Sequence, residues 1–305
     1  MIRSLRVWVG PDRPPELVAA VDRAGGSLAE VEEANVIVWS SASAGPETLA
    51  GLLHDGVELV QLDSAGVEHW LASGLVDGSR IWAAAQGAYA DGVAEHALAL
   101  LLAAAKQLSR AAHATTWGAV PARSLRGATV GIVGAGGIGE RLIELLEPLG
   151  VTTIALTRTG REVPGADRSL VAGQLDELLA ASTYAVLAAP LTPATNGMIG
   201  PRQLELLGPH GGLVNVGRGG LVDTDALVRA LRDGLLGAAC LDVTDPEPLP
   251  DDHPLWTLEN ALVTPHVSHP YDSHTIPLGV RVEENLRRFA ESRPLLGVVE
   301  LGRGY

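Results

Sequence analysis

A strand that turns directly into a helix through three glycines constrains this chain more than any other feature. Residues 129–133 form a short apolar run typical of a buried parallel strand, and apolar residues at helical spacing follow it. Gly134, Gly136 and Gly139 lie between them as Gly-x-Gly-x-x-Gly. These glycines allow a tight turn, close approach of the backbone to a pyrophosphate, and close packing of helix on strand. Because free N–H groups at a helix start attract phosphate, the stretch predicts a dinucleotide site rather than a ligand-free turn.

The composition indicates a folded protein without a nucleic-acid partner. The 305 residues suit two medium domains or one large domain, and 47% of them are apolar, so disorder is not indicated. The net charge is −14, and the sequence contains no basic stripe that would neutralise phosphates. The spacing of His, Cys, Asp and Glu does not resemble a metal site, so we expect no metal.

The expected location is the cytoplasm. Cys240 is the sole cysteine, which excludes an internal disulfide and fits a reducing compartment. Residues 1–10 are too short and too interrupted for a signal peptide. The apolar run at 93–105 is too short to cross a membrane, and polar residues bracket it. We therefore interpret that run as part of a buried helix.

Strand and helix patterns alternate through the first ninety residues and predict a small parallel α/β unit. Strands are predicted at 5–9, 35–39, 57–62 and 81–85, and helices at 15–24, at 47–54 and from about 67. A long helix is predicted at 91–107, capped by Asp91 and apolar on nearly every side. We expect this helix to lie between two layers or two domains. An amphipathic helix at 280–292 closes the chain.

The glycine turn opens a second α/β unit. Six strands are predicted there, at 129–133, 152–156, 184–189, 212–216, 238–243 and 261–264. Alternation of strands and helices at this length predicts a doubly wound parallel sheet, whose ligands collect at the carboxyl ends of the strands. The reactive side chains of the region follow these strands directly, so we expect them to share one edge of the sheet.

Three of these side chains suit the reduction of a 2-oxo acid: Arg218, Glu247 and His266. Hydride addition creates an alkoxide that must receive a proton as it forms. A histidine beside a carboxylate suits that task, because the carboxylate raises the imidazole pKa. An arginine holds a substrate carboxylate through paired hydrogen bonds and polarises the carbonyl. Each residue alone is more typical of a surface or loop position, so the prediction depends on all three.

With their surroundings, these residues resemble the D-isomer-specific 2-hydroxyacid dehydrogenases. The resemblance extends over nearly the whole chain, with motifs in the order and at the spacing of that family. The motifs are Ala65-Gly66-Val67, Val93-Ala94-Glu95-His96, the glycine turn, Pro190-Leu191-Thr192-Pro193, residues 215–223, residues 241–250, His253-Pro254-Leu255-Trp256, and Thr264-Pro265-His266.

The resemblance implies a role for each of these residues. Arg218 would bind and polarise the substrate, His266 would be the acid/base, and Glu247 would be its partner. Asp242 would contact the nicotinamide carboxamide. The backbone at Ala65 and Gly66 would cradle the substrate carboxylate, and the further cofactor contacts are expected at Gly134, Gly136, Gly137, Ile138, Gly139, Thr157, Arg158, Thr159, Pro190, Thr195, Val216, Gly217 and His266.

The resemblance also implies an architecture of two doubly wound parallel-sheet domains. A Rossmann cofactor domain at 93–274 would be inserted into a flavodoxin-like substrate domain formed by 1–92 and 275–305. The active site would lie in the interdomain cleft, and closure would exclude water. Members of the family are commonly homodimers, so we expect a homodimer here.

The second cofactor strand ends differently from that of the NAD-preferring members. They carry an acidic residue there that binds the ribose 2′-hydroxyl, whereas this chain has Thr157 followed by Arg158. Without a carboxylate to repel a 2′-phosphate, and with Arg161 also near, the sequence predicts NADP as the preferred cofactor, with NAD as the alternative.

The sequence leaves several residue roles and the exact function open. His269 and His274 are candidates for the substrate pocket or for loop roles, and Tyr89 is a candidate to face the substrate. His96 is interpreted as a structural hydrogen-bonding residue. The leading hypothesis is a reductase of a small 2-oxo acid, of the glyoxylate or hydroxypyruvate type. The alternatives are a nucleotide-sensing binding protein of the corepressor type and a family enzyme that acts on an unusual acid.

Overall fold

The chain divides into two compact units, each built on one sheet. The computed structural model describes residues 3–41, 43–269 and 274–301. Unit 1 comprises Met1–Tyr89 and Pro270–Tyr305, and unit 2 comprises Ala90–His269. The strands of both sheets pair in parallel. The predicted fold class, two doubly wound parallel-sheet domains, is therefore confirmed.

The sheet of unit 1 has the strand order β2-β1-β3-β4-β5, which is the flavodoxin-like order. Its elements are β1 (Arg6–Pro11), α1 (Pro15–Arg23), β2 (Ser27–Leu28), β3 (Val36–Ser40), α2 (Pro46–Ala50), β4 (Leu59–Gln61), α3 (Glu68–Ala72) and β5 (Ile81–Ala83).

Unit 2 contains the long helix and a seven-stranded sheet. Its elements are α4 (Ala90–Lys106), α5 (Leu108–His113), β6 (Thr129–Val133), α6 (Gly137–Leu146), β7 (Thr152–Thr157), β8 (Arg168–Val171), α7 (Leu175–Ala181), β9 (Tyr184–Leu187), α8 (Pro201–Leu207), β10 (Gly212–Asn215), α9 (Thr224–Arg232), β11 (Ala238–Leu241) and β12 (Ala261–Val263). The strand order is β12-β11-β10-β9-β6-β7-β8, the Rossmann order extended by one strand. The order reverses between β6 and β9, and ligands of such sheets bind at that point.

Alternating side chains of β3 build both cores of unit 1. Val36 and Val38 belong to one apolar cluster, and Ile37 and Trp39 belong to the cluster on the opposite face. The closing helix, α10 (Thr275–Ala290), contributes Leu278, Val282, Leu286 and Phe289 to the first cluster. A strand that is buried on both faces reads as a continuous apolar run, which is why the sequence predicts β3 well.

Helices cover both faces of the unit 2 sheet. The long helix α4 packs against α6 and against β10 and β11. Its small residues Ala94, Ala97 and Ala104 are buried, so the helix lies close to the strands. Helices α7 and α9 supply leucines to the cluster on the opposite face. Within the described ranges, 3–41, 43–269 and 274–301, none of the helices combines the length and hydropathy needed to cross a membrane.

Two local predictions were wrong, and three short elements were missed. Asp91 does not cap α4, because it is the second residue of the helix and forms an exposed ion pair with Arg141 at 2.9 Å. The closing helix begins at Thr275 rather than near 280, and the exposed Ile276 and Val280 obscure its amphipathic period. The short elements β2, β8 and α5 were not predicted.

Candidate active site

Glycines allow the loops at the carboxyl edge of the unit 2 sheet to touch. Gly134 has φ of +92°, and a Cβ there would lie 2.5 Å from the Ala189 backbone, which follows β9. A Cβ on Gly219, after β10, would lie 1.9 Å from the Thr244 carbonyl oxygen, after β11. Any side chain at either position would push the loops apart. The predicted meeting of these loops at one edge is therefore present in the structure.

The turn between β6 and α6 has the features that a pyrophosphate requires. Gly136 occupies the N-cap position and offers no side-chain cap, so the first-turn N–H groups of α6 are left for a ligand. A Cβ on Gly139 would lie 3.0 Å from Ile132 Cγ2, which shows how closely the helix packs on the strand. Gly136 and Gly137 are exposed. The predicted phosphate-binding residues thus fit a dinucleotide.

The end of β7 presents polar and cationic groups. Thr157 is buried, and its hydroxyl accepts a hydrogen bond from the Gly160 N–H at 3.0 Å, while Arg158 and Thr159 are exposed. The Arg161 guanidinium reaches back to the glycine turn. It donates to the Ala135 carbonyl at 2.8 Å and pairs with the Glu140 carboxylate. Arg161 is therefore already held by protein groups, and Arg158 is the better placed of the two to meet a phosphate.

The loop that carries Arg218 is fastened by an asparagine that sequence reasoning did not assign. Asn215 is 1% exposed; its side-chain N–H donates to the Arg218 carbonyl at 2.9 Å, and its Oδ1 accepts from the Gly217 N–H at 3.1 Å. The Arg218 guanidinium donates to the Gly217 carbonyl at 2.7 Å. A buried polar residue at the end of an apolar strand was the available signal.

His266 and Glu247 form a hydrogen-bonded pair. The distance from His266 Nδ1 to Glu247 Oε1 is 2.7 Å, and the two side chains are 52% and 44% exposed. Since a carboxylate only accepts, Nδ1–H donates and Nε2 is left for another partner. This is the arrangement of an imidazole that exchanges a proton through Nε2 while a carboxylate orients it.

Asp242 lies at the end of β11 with its carboxylate fully buried. The carboxylate accepts hydrogen bonds from the Thr264 hydroxyl at 2.6 Å, the Val267 N–H at 2.9 Å and the Ser268 N–H at 3.0 Å. These contacts tie it to the loop after β12, which includes His266. Its contact with the nicotinamide carboxamide stays a prediction.

The loop after β9 is held by its own side chains. The Thr195 hydroxyl donates to the Pro190 carbonyl at 2.7 Å and accepts from the Thr192 N–H at 2.8 Å. In the neighbouring loop, the Val216 N–H donates to the Leu187 carbonyl at 3.1 Å. Pro190 and Thr195 therefore lie on the loop beside the glycine turn, and Val216 and Gly217 lie on the next loop along the edge. The contact of these four residues with a cofactor stays a prediction.

In unit 1, Ala65 and Gly66 follow β4 at the carboxyl edge of that sheet. Within the described residues, no acceptor bonds to either backbone N–H. The Ser64 hydroxyl donates to the Gly66 carbonyl at 2.8 Å and shapes the turn. The predicted cradle therefore has two N–H groups available for a carboxylate.

Tyr89 and Asp63 lie beside this turn. The Tyr89 hydroxyl donates to the Asp63 carbonyl at 2.5 Å. Burial, reinforced by the charge of Asp63, raises the pKa of Tyr89 above its usual value, so the phenol stays protonated. Burial also raises the pKa of the Asp63 carboxyl. His274 lies in unit 1 and His269 in unit 2, and their roles stay predictions.

The comparisons with known proteins agree with this geometry. Residues 98–268 match the family model "D-isomer specific 2-hydroxyacid dehydrogenase, NAD binding domain". A glyoxylate reductase from Aeropyrum pernix is 34% identical over 219 residues, which are 68% of this chain and 65% of that protein. The chain thus matches slightly less than two thirds of that reductase.

Two solved structures resemble nearly the whole chain. A D-isomer specific 2-hydroxyacid dehydrogenase from Xanthobacter autotrophicus Py2, in complex with NADPH and MES, has a TM-score of 0.85 and 27% identity, covering 99% of this chain and 100% of that one. An NADPH-dependent glyoxylate/hydroxypyruvate reductase from Sinorhizobium meliloti, in complex with NADP and sulfate, has a TM-score of 0.82 and 27% identity at the same coverage.

The Rossmann sheet, the glycine turn and the polar edge define a dinucleotide-dependent oxidoreductase. The chain belongs to the D-isomer specific 2-hydroxyacid dehydrogenases, which use NAD or NADP.

Proposed function

We propose that this protein is an NADPH-dependent reductase of small 2-oxo acids. The observation that carries the proposal is the 2.7 Å bond between His266 and Glu247, at the same sheet edge as the dinucleotide turn. A sensor needs the dinucleotide turn but has no use for an oriented imidazole. The glyoxylate reductases among its relatives support the substrate class.

The chain's own residues account for substrate binding and proton transfer. A nicotinamide dinucleotide held at Gly136 and Gly137 supplies the hydride when bound. Arg218 binds the substrate carboxylate and polarises the carbonyl through its guanidinium N–H groups. His266 delivers the proton from Nε2 to the C2 oxygen as charge develops there, while Glu247 accepts the Nδ1–H bond and stabilises the cationic imidazole.

NADPH is preferred over NADH in this proposal because of the groups after β7. Thr157 and Arg158 occupy the position where an acidic residue would repel a 2′-phosphate. The exposed Arg158 supplies a positive charge and N–H donors for that phosphate. The two similar structures that hold NADPH and NADP support the same choice.

Glyoxylate and hydroxypyruvate are the leading substrates. Both carry a carboxylate that suits the paired N–H groups of the Arg218 guanidinium. Both are small. The reductases from Aeropyrum pernix and Sinorhizobium meliloti act on acids of this class, according to their names.

The test is nicotinamide absorbance with purified protein, with NADPH and NADH offered in parallel against glyoxylate, hydroxypyruvate, pyruvate and branched 2-oxo acids. We expect rapid oxidation of NADPH with at least one acid. Equal or faster turnover with NADH would refute the cofactor preference and leave the reaction class intact. If none of these acids is reduced and the cofactor still binds, the result would favour the nucleotide sensor or an acid that was not tested.

We also propose a homodimer that forms through unit 2. Trp117 is fully exposed, Leu108 is 52% exposed and Trp256 is 40% exposed. The family resemblance motivates this proposal, and these exposed apolar side chains are its candidate contacts. Light scattering at micromolar concentration should give twice the chain mass, and a monomeric mass would contradict the proposal.

A further inference from the structure

Residues 264–268 form the loop that carries the acid/base, and we call this segment the acid/base loop. We propose that His96, acting through Thr264 and Asp242, positions the acid/base loop. His96 would be a positioning residue without contact to substrate. Its effect on turnover rests on the proposed function, whereas its effect on the loop does not.

The contacts of His96 determine which of its nitrogens carries a proton. His96 Nε2 lies 3.0 Å from Thr264 Oγ1 and 3.3 Å from Asp242 Oδ1. The Thr264 hydroxyl has one hydrogen, and at 2.6 Å it donates that hydrogen to Asp242, which only accepts. Nε2 must therefore carry a hydrogen and donate. His96 thus holds the threonine oxygen in the orientation that serves the carboxylate.

The Asp242 carboxylate has no exposure to water, so its charge depends on hydrogen-bond donors. Those donors are Thr264, Val267 and Ser268 of the acid/base loop. His96 of α4 donates to the Thr264 hydroxyl oxygen, and its Nε2 lies 3.3 Å from the carboxylate. Asp242 is therefore the point where the long helix and the reactive loop are joined.

The backbone of the acid/base loop has an unfavourable conformation that its contacts must hold in place. His266 has φ of +53°, a left-handed conformation that residues with a Cβ rarely adopt. Its N–H is shared between the carbonyls of Asp242 and Thr264, each at 2.9 Å. Unfavourable backbone conformations persist where surrounding contacts over-determine them. The Asp242 carboxylate accepts hydrogen bonds from the N–H groups of Val267 and Ser268, the two residues that follow His266. His96 supports this arrangement through Thr264.

The long helix is a suitable brace because it is anchored along its length. It packs against α6 and the sheet, and Ala94 and Ala97 on either side of His96 are fully buried. His96 itself is 21% exposed. Its imidazole is therefore fixed by a rigid helix, and removal of its N–H takes away the bond that orients the Thr264 hydroxyl toward the buried carboxylate.

Hydrogen exchange of the full chain tests the positioning role without reference to activity. His96→Leu removes the donor, and His96→Gln keeps an N–H at comparable reach. His113→Leu, on the exposed end of α5, is the matched control. We expect the Val267 and Ser268 amides to exchange about tenfold faster in His96→Leu, and to keep the native rate in the other two variants.

Thr264→Val provides a second test if His96→Leu does not fold, because it removes the hydroxyl and keeps the side-chain volume. It should accelerate exchange of the same two amides. Unchanged exchange in a folded His96→Leu or Thr264→Val variant would overturn the proposal. An increase spread evenly over α4 and the sheet would also overturn it, since that would show general destabilisation.

Steady-state kinetics then separates positioning from cofactor binding. We expect kcat with the best 2-oxo acid to fall about tenfold in His96→Leu, with the Kd for NADPH within twofold of the native value. His96→Gln should restore kcat. A rise in the NADPH Kd that accounts for the whole loss would contradict the role. If the native protein reduces none of the acids, the proposed function fails while the exchange experiment still decides this inference.

Discussion

The two ends of the active edge in unit 2 are built in different ways. At the cofactor end, after β7, Arg158 and Thr159 project into solvent, and the neighbouring Arg161 is held by an exposed ion pair. At the acid/base end, after β11 and β12, a buried carboxylate holds the acid/base loop through a hydroxyl and two backbone N–H groups. The cofactor end therefore presents an exposed positive charge, and the acid/base end holds the backbone of its loop in a fixed geometry.

The difference follows from what each end has to do. Attraction of a phosphate depends on distance only weakly, so an exposed arginine serves even though it is mobile. Proton transfer needs an imidazole within hydrogen-bond reach of one atom, and a misplacement of about 1 Å can cost about a hundredfold in rate. Changes at the acid/base end should therefore affect kcat, and changes at the cofactor end should affect KM for the cofactor.

The largest effect is expected from His266→Asn. Asparagine tolerates the left-handed conformation at φ +53°, so the loop should keep its path while the proton donor is lost. We expect kcat to fall by about a thousandfold, which is within the usual contribution of a general acid. The measurement is turnover of NADPH with the best acid, alongside fluorescence titration of NADPH. Retention of more than a tenth of kcat would show that His266 is not the acid/base.

Glu247→Gln should have the next largest effect. The amide can still accept the Nδ1–H bond, which is 2.7 Å long in the native protein, but it lacks the charge that stabilises the cationic imidazole. We expect kcat to fall about thirtyfold with the KM for NADPH unchanged. Glu177→Gln is the control, because it removes a carboxylate from an exposed pair with Arg168. Equal loss in both variants would point to net charge rather than to the pair.

The predicted strands of unit 2 show what a sequence pattern can establish. The run at 129–133 matches β6, and the runs at 184–189 and 238–243 begin with β9 and β11 but extend two residues beyond each of them. These strands were predicted because they are buried and almost wholly apolar. The edge strands β2 and β8 were missed for the opposite reason. Ser27 and Leu28 are both exposed, and β8 has one buried residue, so neither produces an apolar pattern.

The candidate site also contains a part that the sequence predicts and a part that it does not. Residue types and spacing point to Arg218, Glu247 and His266, and parallel topology predicts that they share one edge. The hydrogen bonds that hold them were not predicted. Asp242 bonds to backbone N–H groups 25 and 26 residues away, and Asn215 bonds to the loop beside it. Backbone donors carry no sequence signature, so only the folded chain shows them.

Arg158→Gln tests the cofactor end and should have a smaller effect. Loss of one exposed guanidinium should raise the KM for NADPH about tenfold, leave the KM for NADH unchanged and leave kcat within twofold. Arg168→Gln is the matched control, since that arginine is also exposed but begins β8 at the amino edge of the sheet. An equal rise for both cofactors would show that Arg158 contacts a part of the dinucleotide other than the 2′-phosphate.

The smallest effect is expected from ionic strength, which should change the KM for NADPH and leave kcat almost unchanged. Raising salt from about 0.1 M to about 1 M shortens the screening length from about 10 Å to about 3 Å, so the exposed Arg158 should attract phosphate less. The buried bonds of Asp242 are screened far less, because its side chain has no exposure to water. We expect the KM for NADPH to rise about threefold while kcat stays within a factor of about 1.5. A fall in kcat without a change in KM would reverse the comparison, because it would place the salt-sensitive electrostatics at the acid/base loop.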